Sequence, residues 1–247
     1  MNDTPNRSWL WPVVAAILSL GLILSSYIAA NALVKIKTSA NTITVTGSAK
    51  KQIKSDLIVW QGSFSSRSPQ LETAYTQLEA SQKKVKTYLL SKGVPAKNIV
   101  FQSISTNINY SLLPNGQMSN QIESYSLYQQ VEIRSKNVDK ITELSREATD
   151  LINQGVEFQS MPPQYFYTKI ADLKVEMLSL ATKDAMSRAE QIATNAGSKV
   201  GPLRFAKMGV FQITPLYSND TSDYGINDTS SLDKEITAVV TTQFEIQ

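Results

Sequence analysis

From Trp9 to Ala30 the chain runs for 22 residues, WLWPVVAAILSLGLILSSYIAA, without a charge, and its polar interruptions are limited to Ser19, Ser25 and Ser26. As a helix rising about 1.5 Å per residue it reaches roughly 33 Å, enough to cross a hydrocarbon layer about 30 Å thick. A stretch that is apolar on every side has no polar face to turn toward water. A buried core helix is the weaker expectation for the same reason. Trp9, Trp11 and Tyr27 sit near its ends, as interfacial aromatics do. Two fates stay open for it. Its length favours an uncleaved anchor, because secretory signals carry an apolar core of about 7–15 residues. Ala30-Asn31-Ala32 also offers the small residues of a cleavage site. Arg7 before the segment and Lys35 and Lys37 after it leave its orientation undecided by charge.

Residues 1–37 therefore form a membrane or signal segment with its flanks, and 38–247 are left to form the folded domain. That is enough chain for a proper core. Without Arg7, Lys35, Lys37 and Asp3 the net charge falls from +3 to +1, which gives no field for nucleic acid. Two absences exclude more. There is no Cys, hence no disulfide, thiol nucleophile or thiolate metal site. There is no His, hence no Ser-His-Asp triad and no imidazole-held zinc.

Asn41 to Ser48 alternates as a strand, with Ile43, Val45 and Gly47 on one side and threonines on the other. Lys50 to Lys54 reads as a polar turn, and Asp56 to Arg67 as a second strand paired with the first. Ser68-Pro69 is a helix start, Ser capping and Pro at the first position. Leu71, Tyr75, Leu78, Val85 and Leu89 form that helix's inward stripe, ended by Gly93. Asn98–Leu113 and Gln121–Ser135 are strands around Pro114-Asn115-Gly116, a hairpin signal. Their alternation is partly polar, so one face is wet or meets a partner. A second helix is capped by Asn137, turns Ile141, Leu144, Ala148 and Leu151 inward, and closes at Gly155. Val156–Tyr167 is a strand bent at Pro162-Pro163. The longest helix of the domain covers Ile170–Ala196, followed by strands over Lys199–Leu216 and Ile236–Ile246. The fold class is α+β: mostly antiparallel sheet with three helices, preceded by one N-terminal transmembrane or signal helix.

Candidate chemistry is sparse. Asp220, Asp223, Asp228 and Asp233 share one loop but miss the calcium-loop spacing, so the stretch reads as a mobile acidic loop. Lys83, Lys84 and Lys86 read as a solvated face. Ala181, Ala185, Ala189 and Ala193 repeat every four residues, a ladder that lets another element approach closely. Packing on the sheet is its plainer meaning and a subunit interface the other.

Several motifs together resemble one family. Ile43-Thr44-Val45-Thr46-Gly47-Ser48-Ala49 is similar to the I-x-V-x-G-x-G opening of the SIMPL domain, and Ser55-Asp56 stands where that family has Pro-Asp. Gly93-Val94 with Asn98-Ile99 resembles its step after the first helix. Tyr110 and Tyr125 match aromatic positions of the following hairpin, and Gly155-Val156 and the alanine-rich helix into Gly201-Pro202 complete the order. Ala49, Ser55 and Ser124 depart from the pattern at turns. The resemblance implies a bacterial cell-envelope protein on the periplasmic side of the inner membrane, in a family with ties to oxidative stress and to ring-like or channel-like oligomers. It carries no established active site. No catalytic, cofactor-binding or metal residue is therefore expected. The expected partners are the membrane through residues 9–30, further copies of the chain and envelope proteins. Ala181, Ala185, Ala189, Ala193, Tyr110 and Tyr125 are the candidate interaction surface. The alternatives are a cell-wall glycan enzyme working without His or Cys, which needs two carboxylates roughly 5–10 Å apart, and a small-ligand domain with an apolar pocket.

Overall fold

The computed structural model of the chain describes residues 10–38 and 41–247. Helix α1 (Leu10–Thr38) continues past the uncharged run. Its apolar span, Trp11–Leu33, has a mean hydropathy of 2.2 and is 0% buried, so none of the described residues covers it. It is long and apolar enough to cross a membrane. Trp9 and Arg7 lie outside the described residues.

Strand β1 (Thr42–Lys54) is followed after two residues by β2 (Leu57–Ser68). The sequence predicts that these two pair. They do not. Lys50–Lys54 continues β1 instead of turning, and the chain crosses between sheets at Ser55-Asp56, whose amides donate to the Leu232 and Phe166 carbonyls. A five-stranded sheet takes β1, and a six-stranded sheet takes β2.

After β2 come α2 (Leu71–Ser91), β3 (Ile99–Phe101), β4 (Ser105–Leu112), β5 (Met118–Ser135) and α3 (Val138–Glu147). Then follow β6 (Glu157–Ser160), β7 (Gln164–Phe166), α4 (Ile170–Asn195), β8 (Val200–Met208), β9 (Gln212–Pro215), β10 (Ile226–Asn227) and β11 (Asp233–Ile246). The described residues thus hold four α-helices, the apolar α1 and three in the body, with sheets that are antiparallel except for the short β9–β10 pair.

Some boundaries move for physical reasons. Ser68 does not cap α2, because it is still paired with Tyr125 across the sheet; Gln70, in extended backbone, precedes the helix. Asn137 does cap α3, accepting from the Lys140 amide. That helix tightens into a 3-10 turn over Ala148–Gln154, which Gly155 ends at φ +74°. The two prolines split the predicted Val156–Tyr167 strand into β6 and β7, both paired with β2. Lys199–Leu216 likewise divides into β8 and β9.

The chain separates into two units, each taken by itself. The first comprises Met1–Ala49, Leu178–Gly209 and Val239–Gln247; the second comprises Lys50–Met177 and Val210–Ala238. In the second, β2 is central. It pairs antiparallel with β5 from Ile58↔Ser135 to Ser68↔Tyr125, and its other edge carries β6 and β7. Period-two alternation sends Ile58, Trp60 and Phe64 of β2 and Leu127, Val131 and Ile133 of β5 to one side. There they pack with Leu78, Val85 and Leu89 of α2 and Ile141 and Leu144 of α3. The Trp60 indole is fully buried and donates to Ser160 Oγ at 3.1 Å, which keeps its N–H satisfied. In the first unit the alanine ladder lies over β1. A Cβ on Gly47 would stand 2.6 Å from Ala185 Cβ and overlap the α4 backbone, so this close approach requires glycine. Val45, Ala185, Ala189 and Phe244 form the small core there.

Candidate functional site

The sequence-predicted residues part company in the structure. Ala181, Ala185, Ala189 and Ala193 are buried to 1% exposure or less, turned to the chain's own β1 and its neighbours. This burial fits the plainer meaning of the ladder, packing on the sheet, with Ala185 and Ala189 against Val45 and Phe244. Tyr110 and Tyr125, by contrast, lie on the hairpin β4–β5, which leaves the body of the sheet.

The strand β5 carries both situations. From Tyr125 to Ser135 it is paired with β2 on one edge and with β3 and β4 on the other. Beyond Tyr125, toward Met118, β4 is its one strand neighbour among the described residues. The turn at Pro114–Gln117 closes the arm, with Gly116 at φ +79° and the Gln117 amide donating to Asn115 Oδ1. From the Thr106↔Leu127 pair to Leu112 the arm covers seven residues, about 20 Å of strand.

Register decides what each side of the arm offers. Thr106 lies opposite Leu127, Ile108 opposite Tyr125, Tyr110 opposite Ile122 and Leu112 opposite Met118. Leu127 is in the core and Tyr125 packs against it, so this row is the helix-covered face of the sheet continued outward. α2 ends its cover at Leu71 and Tyr75, both half-exposed, although the sequence predicts them inside. With Ile104, Thr106 and Leu127 they line an apolar groove of about 600 Å³. Past that groove Ile108, Tyr110 and Ile122 stand half-exposed, and Leu112 and Met118 are 69% and 71% exposed. The opposite face is a polar ladder: the Asn109 amide donates to Ser124 Oγ at 3.1 Å and Ser126 Oγ at 2.7 Å, and Ser111 and Ser119 hydroxyls meet at 2.6 Å.

The sequence signal for this arm is an absence. Asn98 to Ile122 is 25 residues without Asp, Glu, Lys or Arg. The first charge after it, Glu123, is paired with Arg67 at 3.2 Å, and Arg67 Nε also donates to Ser124 Oγ at 2.7 Å. Deeper in the sheet, the polar face of β5 carries Glu132. Its carboxylate accepts from the Gln61 amide at 2.9 Å and from Arg134 at 2.7 Å, which together hold its pKa below the usual carboxylate value against the opposing effect of burial.

Other places offer less. The acidic loop is not wholly mobile: Asp228 turns inward, accepting from Ser230 and Ser231, beside the buried Lys234. Lys234 Nζ donates to the Tyr165 carbonyl at 2.8 Å and to the Asp228 carbonyl, tying the loop to β7, and burial lowers its pKa with Asp228 opposing. A cavity of about 200 Å³ adjoins it, lined by Tyr165, Tyr167 and Ile213 among others. A shallow groove of about 470 Å³ runs between Thr44–Thr46 and Arg188–Ile192. A polar one of about 360 Å³ holds Glu157. None of these cavities carries more than one carboxylate, and among the described residues no three acidic side chains converge as metal ligands.

Among protein-family models, one described as SIMPL, protein of unknown function (DUF541), matches residues 43–244. No curated protein matches the chain.

Proposed function

We propose, for a chain that belongs to the SIMPL family from residue 43 to residue 244, a non-catalytic role as a tethered cell-envelope protein. α1 holds it at the membrane, its α+β body lies on the periplasmic side, and the β4–β5 arm engages further copies or envelope partners. One observation carries this: the core face of the sheet runs about two hairpin pairs beyond its helix cover, and the stretch that forms it has no charge. A two-stranded hairpin is marginal on its own in water, and exposed apolar rows of this kind mark contact sites. The glycan-enzyme alternative would need two carboxylates facing one cleft, and the described cavities supply at most one. A small apolar ligand is a second reading, favoured by the groove at Leu71, Tyr75 and Leu127.

The test uses the full chain in its membrane. A reporter fused after Gln247 that is active only outside the cytoplasm should be active. N-terminal sequencing should find α1 retained, and amine-independent photo-cross-linking should give species larger than one chain. A reporter active only inside overturns the placement. Cleavage after Ala32 overturns the tether, and a single-chain species under every condition overturns the assembly.

A further inference from the structure

The arm has two open edges, and they differ. On the β5 side the open stretch ends at Glu123, whose ion pair with Arg67 and the Arg67–Ser124 hydrogen bond place charge across it. Charge of that kind discourages a further strand. On the β4 side nothing does. Ser105–Leu112 has no charge and no proline, and among the described residues β4 pairs with β5 alone. The register slips between Asn109 and Leu112 place the additional residues on β5: Glu123 between Ile122 and Ser124, and Ser119–Gln121 opposite Ser111. The bulges that blunt an edge therefore belong to the inner strand, and β4 keeps an unbulged outer edge over its eight residues, where alternate residues present backbone donors and acceptors with no strand partner among the described residues.

We infer that β4 is a seam at which a second copy of this chain joins, β4 against β4 in antiparallel order about a two-fold axis. This rests on the assembly reading above and names its geometry. Neutrality selects the partner. In a two-fold contact every charge near the axis meets its own copy, so an uncharged edge is what identical surfaces need. A charged peptide or protein would find no opposite charge between Asn98 and Ile122.

Register follows from the faces. Residues directly opposite in an antiparallel pair share a face. Thr106, Ile108, Tyr110 and Leu112 hold the apolar face, so the join must set even positions against even positions. An axis through Asn109 does so. It places Ile108 opposite Tyr110 of the second copy and Thr106 opposite Leu112 of the second copy, and Asn109 faces itself. The two apolar rows then lie side by side on one face, each shielding the other, and the Asn and Ser ladder continues on the other face. Shifting the strands by one residue would put each apolar side chain beside a polar one on the wrong face.

The chain has no cysteine, which makes the test direct. Single cysteines replace residues 106 to 112 one at a time in the full chain, and membranes are mildly oxidised. Disulfide-linked dimers should peak at Asn109→Cys and fall off on both sides. Ile108→Lys sets two ammonium groups near each other across the axis, and should raise the dimer dissociation constant in detergent at least tenfold with the thermal midpoint unchanged. Assembly without any cross-link along 106–112 overturns the seam and leaves the assembly reading standing. A cross-link profile that is flat along the strand overturns it too. A one-chain mass for the unmodified protein at high concentration overturns both.

Discussion

The two halves of β5 make a controlled comparison, since they share one strand, one apolar face and one neighbour in β4 over part of their length. Between Leu127 and Ile133 every second side chain is sealed under α2 and α3. Between Met118 and Ile122 the apolar face continues past the bulge at Glu123, but its side chains, Ile122 and Met118, stand exposed. Strand pattern alone therefore does not make a core; a second layer does. The uncovered half holds together through its turn, its Asn–Ser ladder and cross-strand pairs worth roughly 0.2–1 kcal/mol each. That is little beside the burial of the inner half, and the difference can be measured.

The largest contrast comes from truncating one apolar residue in each half. Ile133→Ala removes a fully buried side chain and should cost about 3 kcal/mol in denaturant unfolding. Ile122→Ala, half-exposed, should cost less than about 0.5 kcal/mol. Similar losses at both positions would mean that the arm is covered by its own chain, and would break the comparison.

Glycines sharpen it next. Gly47→Ala drives a methyl into Ala185 and the α4 backbone where the ladder covers β1, and should cost about 2 kcal/mol through overpacking. Gly116→Ala at the arm's tip has open space around it and pays only for its positive φ, about 1 kcal/mol. Gly116→Asn should recover much of that, because Asn tolerates the left-handed region, whereas no substitution should rescue Gly47. Thermal melts of the three variants separate a steric origin from a conformational one.

What sequence could show follows from how local the cause is. Alternation, the Asn115-Gly116 turn and the glycines that end helices are local, and Gly93, Gly155 and Gly197 all take φ +74° as their positions promise. Pairing is not local. Thr42–Ser48 shows which side of a strand is apolar but not that its neighbour is β11, almost two hundred residues away. The alanine ladder announces a close approach without saying to what, and Gly47 answers from far upstream. Lys234, at the start of β11, is held by a carbonyl of Tyr165, 69 residues earlier, which no local pattern signals. Of the site, Tyr110 and Tyr125 were legible as hairpin aromatics. The open edge was not, because exposure of a strand depends on where α2 begins, and Ser68-Pro69 places that start too early.

Acid provides a smaller test of the same division. The folded pKa of Glu132 lies below its unfolded value, first through the Gln61 hydrogen bond. Its contribution is therefore present above the unfolded value and lost as pH falls through the folded one. Glu132→Gln should lower stability at neutral pH and flatten the acid limb below about pH 4. The arm between Asn98 and Ile122 has no carboxylate, so assembly through it should persist until the body itself unfolds. Assembly lost well before the unfolding transition, followed by light scattering and circular dichroism together across pH, would show that a titrating group outside the arm carries the contact.

The smallest expected effect on folding is the most informative about function. Leu112→Ser with Met118→Ser removes the outermost cross-strand pair, both members about 70% exposed. Because water already reaches these side chains, the unfolding free energy should stay within about 0.5 kcal/mol of the original chain. Any copy that shields this pair loses its apolar contact at the same time, so species larger than one chain should weaken severalfold in detergent. A double variant that folds as well and assembles as well would mean that the outer half of β5 is bare for no partner, and the contact would have to be sought in the groove at Leu71 and Tyr75.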